Sequence, residues 1–469
     1  VTSLRLYDTF SRSVQPFVPR VPGLVRVYSC GPTVYSRQHL GNMRPYVLSD
    51  LLTRVLRREG YEVRHVINIT DVGHLTDDAD QGDDKLELAA RSSGSPALQI
   101  AQKWTELFQR DLALLGIAEP SVWAKASEHI PQQIEMISRL EQRGFTYRTE
   151  DGLYFDTSKD PGYGALSRLK ASAEHARVGS GSKRRPADFA LWKVSPELGP
   201  RRQLEWESPW GTGFPGWHIE CSAMATHHLG PEIDIHTGGV DHIPVHHTNE
   251  IAQAENALGS QPWVRFWMHG AWLLMDGEKI SKSSGSPNKT PSLDDLTRWG
   301  VTPAGFRYYL YTAHYRSTLS LSLDALRGAE AARRRLGAIA RIQASRPSQS
   351  SSNGLSARLQ ALRETYFEAL RDDLDAPRAI TLLWQVADAS EPLVQRAELL
   401  RELSGAIGLS LLELPRETAE DAAITELVAQ RDAARKARDY ALSDLLRAQL
   451  SARGVLVEDS PAGSSWRRI

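Results

Sequence analysis

Leu24-Val25-Arg26-Val27-Tyr28-Ser29-Cys30-Gly31-Pro32-Thr33 decides the fold. A short apolar, β-prone run meets a Cys-Gly-Pro-Thr turn, the pattern of a strand ending at a loop. Downstream, residues 45–59, from Pro45-Tyr46-Val47-Leu48 onward, carry apolar groups at helical spacing and stop at Gly60. Glu62-Val63-Arg64-His65-Val66-Ile67-Asn68-Ile69-Thr70 then alternates and ends in a Thr-Asp step. Strand, turn, helix, strand opens a doubly wound α/β parallel sheet, whose ligands gather beyond the carboxyl ends of its strands. Cys30 and Thr70 both stand at such ends.

Further along, residues 98–144 read as long amphipathic helices, and a strand pair is expected around Gly152-Leu153-Tyr154-Phe155-Asp156. The polar, basic run Gly179 to Pro186 reads as an exposed loop. This block looks like an insertion between two halves of the sheet, the second half resuming near Gly216-Trp217-His218 and running past residue 270. From about 320 to 445 the pattern is helical, broken by a Ser-rich linker at 345–354. A charged helix at 421–453 and a strand at Val455-Leu456-Val457-Glu458-Asp459 close the chain.

With 469 residues the chain is too long for one core, so three or four domains are expected. An apolar fraction of 41% and a charged fraction of 24% are those of a soluble globular protein. The 56 Lys+Arg nearly balance the 57 Asp+Glu, so any basic surface is confined to one face. No apolar run reaches membrane-span length and the first residues lack a signal-peptide layout, so a cytoplasmic protein is expected.

The two cysteines, Cys30 and Cys221, exclude a disulfide scaffold and leave three readings. They are unrelated buried thiols, one long-range disulfide, or two ligands of one metal. His246-His247-Thr248-Asn249-Glu250 places His246 and Glu250 four apart, on one face if the segment is helical, as Ile251-Ala252-Gln253-Ala254 suggests. Two Cys, one His and one carboxylate form a set acceptable to Zn²⁺. A His-x-x-x-Glu pair is as often a plain hydrogen bond, and residue spacing alone leaves both open.

Two short motifs suit a nucleotide. In His39-Leu40-Gly41-Asn42, Gly41 lacks a Cβ and permits close approach to the backbone. His39 and Asn42 can donate to phosphate oxygens beside a helix N-terminus. Lys279-Ile280-Ser281-Lys282-Ser283 precedes a Gly/Ser/Pro/Asn-rich run, and its two lysines suit the charge of a triphosphate in a transition state. Alone, each motif could equally be a solvated surface segment.

Together these residues resemble the class I aminoacyl-tRNA synthetases, with His39 to Asn42 similar to the HIGH signature and Lys279 to Ser283 to KMSKS. Within that class the chain resembles the cysteinyl-tRNA synthetases. The segments that carry this likeness are Cys30 to Tyr35, Ile69-Thr70-Asp71-Val72, Gly216 to Met224, Gly238-Gly239-Val240-Asp241, His246 to Gln253 and the closing Asp459 to Arg468. The resemblance covers nearly the whole chain and implies zinc held by Cys30, Cys221, His246 and Glu250. It also implies a cysteine site lined by Gly31, Thr33, Thr70, Trp217 and Asp241, with Thr70 and Asp241 on the substrate ammonium. ATP, with Mg²⁺, would be served by His39, Gly41, Asn42, Lys279 and Lys282.

The implied architecture is a Rossmann-like catalytic domain (1–120 and 206–272) split by a connective insertion (121–205). The KMSKS loop and stem-contact region (273–325), a helical bundle (326–415) and a small α/β anticodon-binding domain (416–469) complete it. The implied activity is cysteine activation by ATP and transfer to tRNA(Cys) by a monomer. Two other readings share the chemistry or the fold: a cysteine:amino-sugar ligase of mycothiol biosynthesis, and a non-catalytic RNA-binding paralogue. The sequence departs from the common pattern at Asn42, at Ile280 in place of Met, in a longer loop after Ser283, and in the acidic stretch Asp77 to Asp84.

Overall fold

The computed structural model describes residues 3–72, 84–168, 183–196, 201–275, 277–280, 290–342, 354–413, 419–460 and 463–468. Lys282 with Ser281 and Ser283, the loop after Ser283, residues 77–83 of the acidic stretch, 179–182 of the basic loop and 345–353 of the linker lie outside the described residues. The chain divides into two compact units, Val1–Glu413 and Leu414–Ile469.

The first unit is organised by a five-stranded sheet in the order Val264–Gly270, Ile233–Gly239, Leu24–Ser29, Glu62–Ile69, Val122–Lys125. All four pairings are parallel. The order reverses between Leu24–Ser29 and Ile233–Gly239, so the crevice beyond those two strands is the expected ligand position. Side chains alternate between the faces with the two-residue period of a strand. Val25, Val27, Ile67 and Ile69 enter one core, and Tyr28 and Val66 enter the other.

The Leu40–Arg58 helix crosses the first core, burying Met43, Val47, Leu48, Leu51, Leu52 and Val55 at helical spacing. Each such side chain contributes about 1.5–3 kcal/mol relative to exposure. Arg44 on this helix is buried and donates to the carbonyls of Ala271, Trp272, His314 and Ser317. Gly60, at φ 90°, supplies the left-handed residue that turns the chain back into the next strand.

Val122–Lys125 is the fifth strand of the parallel sheet, inside the stretch 98–144 expected to be helical and beyond the expected boundary at residue 120. The long-helix reading is corrected to two helices, Ala97–Leu114 and Ile130–Gln142, flanking that strand. The insertion's antiparallel sheet follows in the order Thr146–Thr149, Gly152–Phe155, Phe189–Val194, Gly213–Pro215.

Four further helices, Leu323–Ala340, Ala357–Arg371, Ala376–Ala387 and Leu393–Ala406, share one continuous core with the sheet. In the second unit the expected helix at 421–453 is two helices, Ala419–Lys436 and Tyr440–Ala452. Between them Arg438 takes a left-handed φ of 63° and Asp439 caps the second helix through Leu442 N–H at 3.0 Å. Val455–Ser460 and Gly463–Arg468 pair antiparallel.

Candidate active site

The switch point holds the four residues expected to ligate a metal. Cys30 directly follows its strand, and its N–H donates to Thr237 O at 3.1 Å on the neighbouring strand. Cys221 comes from the Trp217–Leu229 helix, and His246 and Glu250 come from the His246–Leu258 helix, one turn apart. Ligand atoms of all four lie within 4.8 Å of one another, and all four residues are buried. His246 Nε2 is 3.0 Å and Cys30 Sγ is 3.8 Å from Glu250 Oε1. Cys30 and Cys221 are both free thiols, which removes the disulfide reading.

Further imidazoles surround this set. His236 Nε2 is 2.9 Å from Glu250 Oε2, and His218 Nδ1 is 2.9 Å from His246 Nδ1. His247 Nε2 faces Cys30 Sγ at 3.2 Å, its Nδ1 meets His269 Nε2 at 2.8 Å, and His269 Nδ1 meets Thr9 Oγ1 at 2.8 Å. Cys30, His236, His247 and Glu250 therefore form an overlapping quartet of the same dimensions. His236 sits alone on an apolar strand and His269 at the end of another. Neither carries a local motif that sequence reasoning could use.

The electrostatics follow from burial and proximity. Burial pushes the Cys30 thiol well up, with Cys221 and Glu250 adding to it. A hydrogen bond from Cys30 outweighs burial at Cys221 and brings that thiol down to about 6. At His246 burial works downward, but Glu250 and Cys221 prevail and hold it up at about 10. Burial opposes ionisation of Glu250 too, and His236 with His246 overcomes it, keeping the carboxylate ionised. Two soft thiols, an imidazole and an ionised carboxylate buried together fit a zinc-class cation, whose charge would offset two anions in one buried site.

Around this centre the structure brings together most of the residues expected at the amino acid. Thr33 and Thr70 pair as an isolated parallel bridge, with Val34 N–H donating to Thr70 O at 3.2 Å. Gly31 packs so tightly that a Cβ would lie 1.5 Å from the Asn68 carbonyl oxygen, so glycine is required there by packing. Its N–H donates to Asn68 Oδ1 at 2.7 Å, and Asn68 Nδ2 donates to Thr70 Oγ1 at 3.2 Å. The Trp217 ring stacks on His246 with centroids 4.3 Å apart. Asp241 is ion-paired with Lys279, Oδ2 to Nζ at 2.5 Å, and accepts a hydrogen bond from Trp272 Nε1.

The described ends of the lysine segment meet the other motif expected at the nucleotide. His39 caps the Leu40–Arg58 helix, so the motif forms the first turn of that helix and not a loop ahead of residue 45. Asn42 Oδ1 accepts from His39 N–H at 3.2 Å, leaving its amide N–H groups as the donors. Ile280 is buried against Gly41, where an added Cβ would be 3.5 Å from Ile280 Cβ. Beyond the lysine segment, Pro291 O accepts from Leu40 N–H at 2.8 Å. Both flanks of that segment are thus fixed to the helix start that carries His39 and Asn42.

A parallel sheet with a metal-capable cluster at its switch point and two juxtaposed phosphate-type motifs defines a class I tRNA synthetase. Residues 16–331 match the family model described as the tRNA synthetases class I (C) catalytic domain. Residues 418–467 match the cysteinyl-tRNA ligase anticodon binding domain. Cysteine–tRNA ligase 1 of Burkholderia lata is 47% identical over 466 residues, covering 98% of this chain and 96% of its own. The cysteine–tRNA ligase of Thermus thermophilus is 39% identical, covering 99% of each. Among solved structures, Mycobacterium tuberculosis methionyl-tRNA synthetase with methionyl-adenylate shares the fold, with a TM-score of 0.57 at 15% identity over 86% of this chain and 94% of its own. The chain belongs to the cysteine–tRNA ligase family.

Proposed function

We infer that this chain is an enzyme that activates L-cysteine with ATP and transfers it to the 3′ end of tRNA(Cys). The observation that carries the reading is the buried Cys30–Cys221–His246–Glu250 set at the switch point. We assign zinc to it in preference to the overlapping quartet because it uses both thiols, the softer donors. When bound, zinc supplies a soft site for the substrate thiolate, which separates cysteine from serine by chemistry where shape discriminates poorly.

The chain's own residues account for the remaining steps. Thr70 and Asp241 receive the substrate ammonium, Trp217 walls the pocket, and Gly31 and Thr33 set its floor. His39, Asn42, Lys279 and Lys282 hold the triphosphate, with Gly41 allowing close approach and Mg²⁺ accompanying ATP. The cysteine carboxylate attacks the α-phosphorus and pyrophosphate leaves. A terminal ribose hydroxyl of tRNA then attacks the adenylate carbonyl and AMP leaves. No protein nucleophile is needed, since positioning and charge stabilisation carry both steps.

The match at 418–467 favours tRNA over an amino-sugar acceptor, and retention of all four candidate ligands weighs against a non-catalytic paralogue. No described helix is long and apolar enough to cross a membrane. Aminoacylation of a tRNA(Cys) transcript tests the function. Cysteine attached to tRNA(Cys), and absent with an amino-sugar acceptor, supports it, whereas charging of the sugar alone would overturn it.

A further inference from the structure

Outside the active centre, three imidazoles gather where the parallel sheet hands over to the insertion. His129 closes the short turn after the Val122–Lys125 strand, and His227 and His228 occupy the last turn of the Trp217–Leu229 helix. One ring nitrogen from each lies within 4.8 Å of the others. His129 is buried, His228 partly buried and His227 exposed, so the cluster opens to solvent on one side.

Three further features point to a cation. His129 Nδ1 sits 2.6 Å from Lys125 O, a contact that requires Nδ1 to carry the proton and leaves a lone pair on Nε2. That Nε2 faces His228 Nε2 at 2.8 Å. Two imidazole nitrogens on one tetrahedral zinc stand about 3.3 Å apart, so about half an ångström of opening admits the ion. The Lys125 carbonyl is then the outer partner that fixes ring orientation, as backbone carbonyls do for metal-ligating histidines. His227 and His228 lie at a helix C-terminus, whose carbonyl dipoles favour positive charge, whereas His129 precedes the first turn of the Ile130–Gln142 helix.

We propose that His129, His227 and His228 form a second metal site, which takes one late first-row divalent ion, with a fourth position open to water. An all-imidazole set of this kind selects Zn, Cu, Ni or Co over Mg or Ca. The ion joins the entry of the insertion to the helix that carries Cys221, about 10 Å along the helix axis from that cysteine. It is a clamp on that helix and separate from the thiolate centre.

The test is cobalt loading of the chelator-stripped full chain, read by bound metal per chain and by absorption spectrum. The thiolate centre gives sulfur-to-cobalt charge transfer in the near ultraviolet, and the imidazole site gives only weak visible bands. The expected result is two cobalt ions per chain, with H129A, H228A and the exposed-site variant H227A each losing one ion while keeping the charge-transfer band. Cys221→Ala removes the band and retains the other ion, so failure of the thiolate centre is read independently. One cobalt per chain, or a second ion that survives in H227A and H228A, overturns the proposal. Because His227 is exposed, its variant tests the site without disturbing the core.

Discussion

Lys279 Nζ lies 2.5 Å from Asp241 Oδ2, so a lysine expected at the triphosphate and a carboxylate expected at the amino acid form one ion pair. Both side chains are substantially exposed, at 48% and 39%, and such a pair contributes at most about 1 kcal/mol to folding. Its consequence is kinetic. On the proposed reading Asp241 exchanges Lys279 for the substrate ammonium, which would tie arrival of the amino acid to release of the lysine. Lys279→Ala, Asp241→Ala and the double variant, compared by kcat/KM in ATP–pyrophosphate exchange, should be non-additive by about 1 kcal/mol. Additive losses would mean the two residues act separately.

The protonation of the metal centre sets a second expectation. Without metal, His246, held up at about 10, and the raised Cys30 thiol are protonated at pH 7.5, whereas Cys221, at about 6, is already a thiolate. Zinc binding should therefore release about two protons, and affinity should rise with pH across the neutral range. Calorimetry in buffers of different ionisation enthalpy measures the count. Zinc uptake with no proton release would mean that other groups bind it.

His236 holds the outer oxygen of Glu250. His236→Ala should lower zinc affinity about 10- to 100-fold while leaving the fold intact. If His236 is instead a ligand in the overlapping quartet, the variant should lose the metal altogether, and competition against a chromophoric chelator separates the two outcomes.

Stability rests on a different pair. Arg307 and Asp50 are fully buried and joined to each other, and Arg307 also donates to Leu115 O and Ile407 O. Burial opposes the Asp50 charge, but Arg307 and Arg54 prevail and hold its carboxyl below the usual range. The contribution is thus complete above the unfolded pKa of about 3.9 and is lost as pH falls through the lower folded value. Asp50→Ala strands the guanidinium and should cost about 3–5 kcal/mol. Thermal denaturation at pH 7 checks this, and a variant as stable as the parent would contradict it.

How far the sequence spoke depends on where each signal lay. Leu24–Ser29, Glu62–Ile69 and the His246–Leu258 helix were legible because burial on both faces, or a repeated helical stripe, writes itself locally. Val122–Lys125 was not, because four residues between amphipathic helices, three of them half-buried, carry too short a pattern. The break at Arg438 was hidden for a related reason: an arginine in the left-handed region replaces the Gly or Pro that would have marked it. At the site, the quartet Cys30, Cys221, His246 and Glu250 was nameable from residue chemistry and the family likeness. His236 and His269 were invisible because only the sheet brings them to Glu250 and His247. The Lys279–Asp241 pair belongs to the same class, since it joins segments 38 residues apart.

The most direct test of the central claim is cysteine-dependent ATP–pyrophosphate exchange, measured with serine as the competing substrate and with zinc assayed on the same sample. The account predicts exchange with cysteine, none with serine, about one thiolate-bound zinc per chain, and loss of activity in Cys221→Ala together with that zinc. Exchange that persists in zinc-free protein, or that accepts serine as well as cysteine, would contradict it.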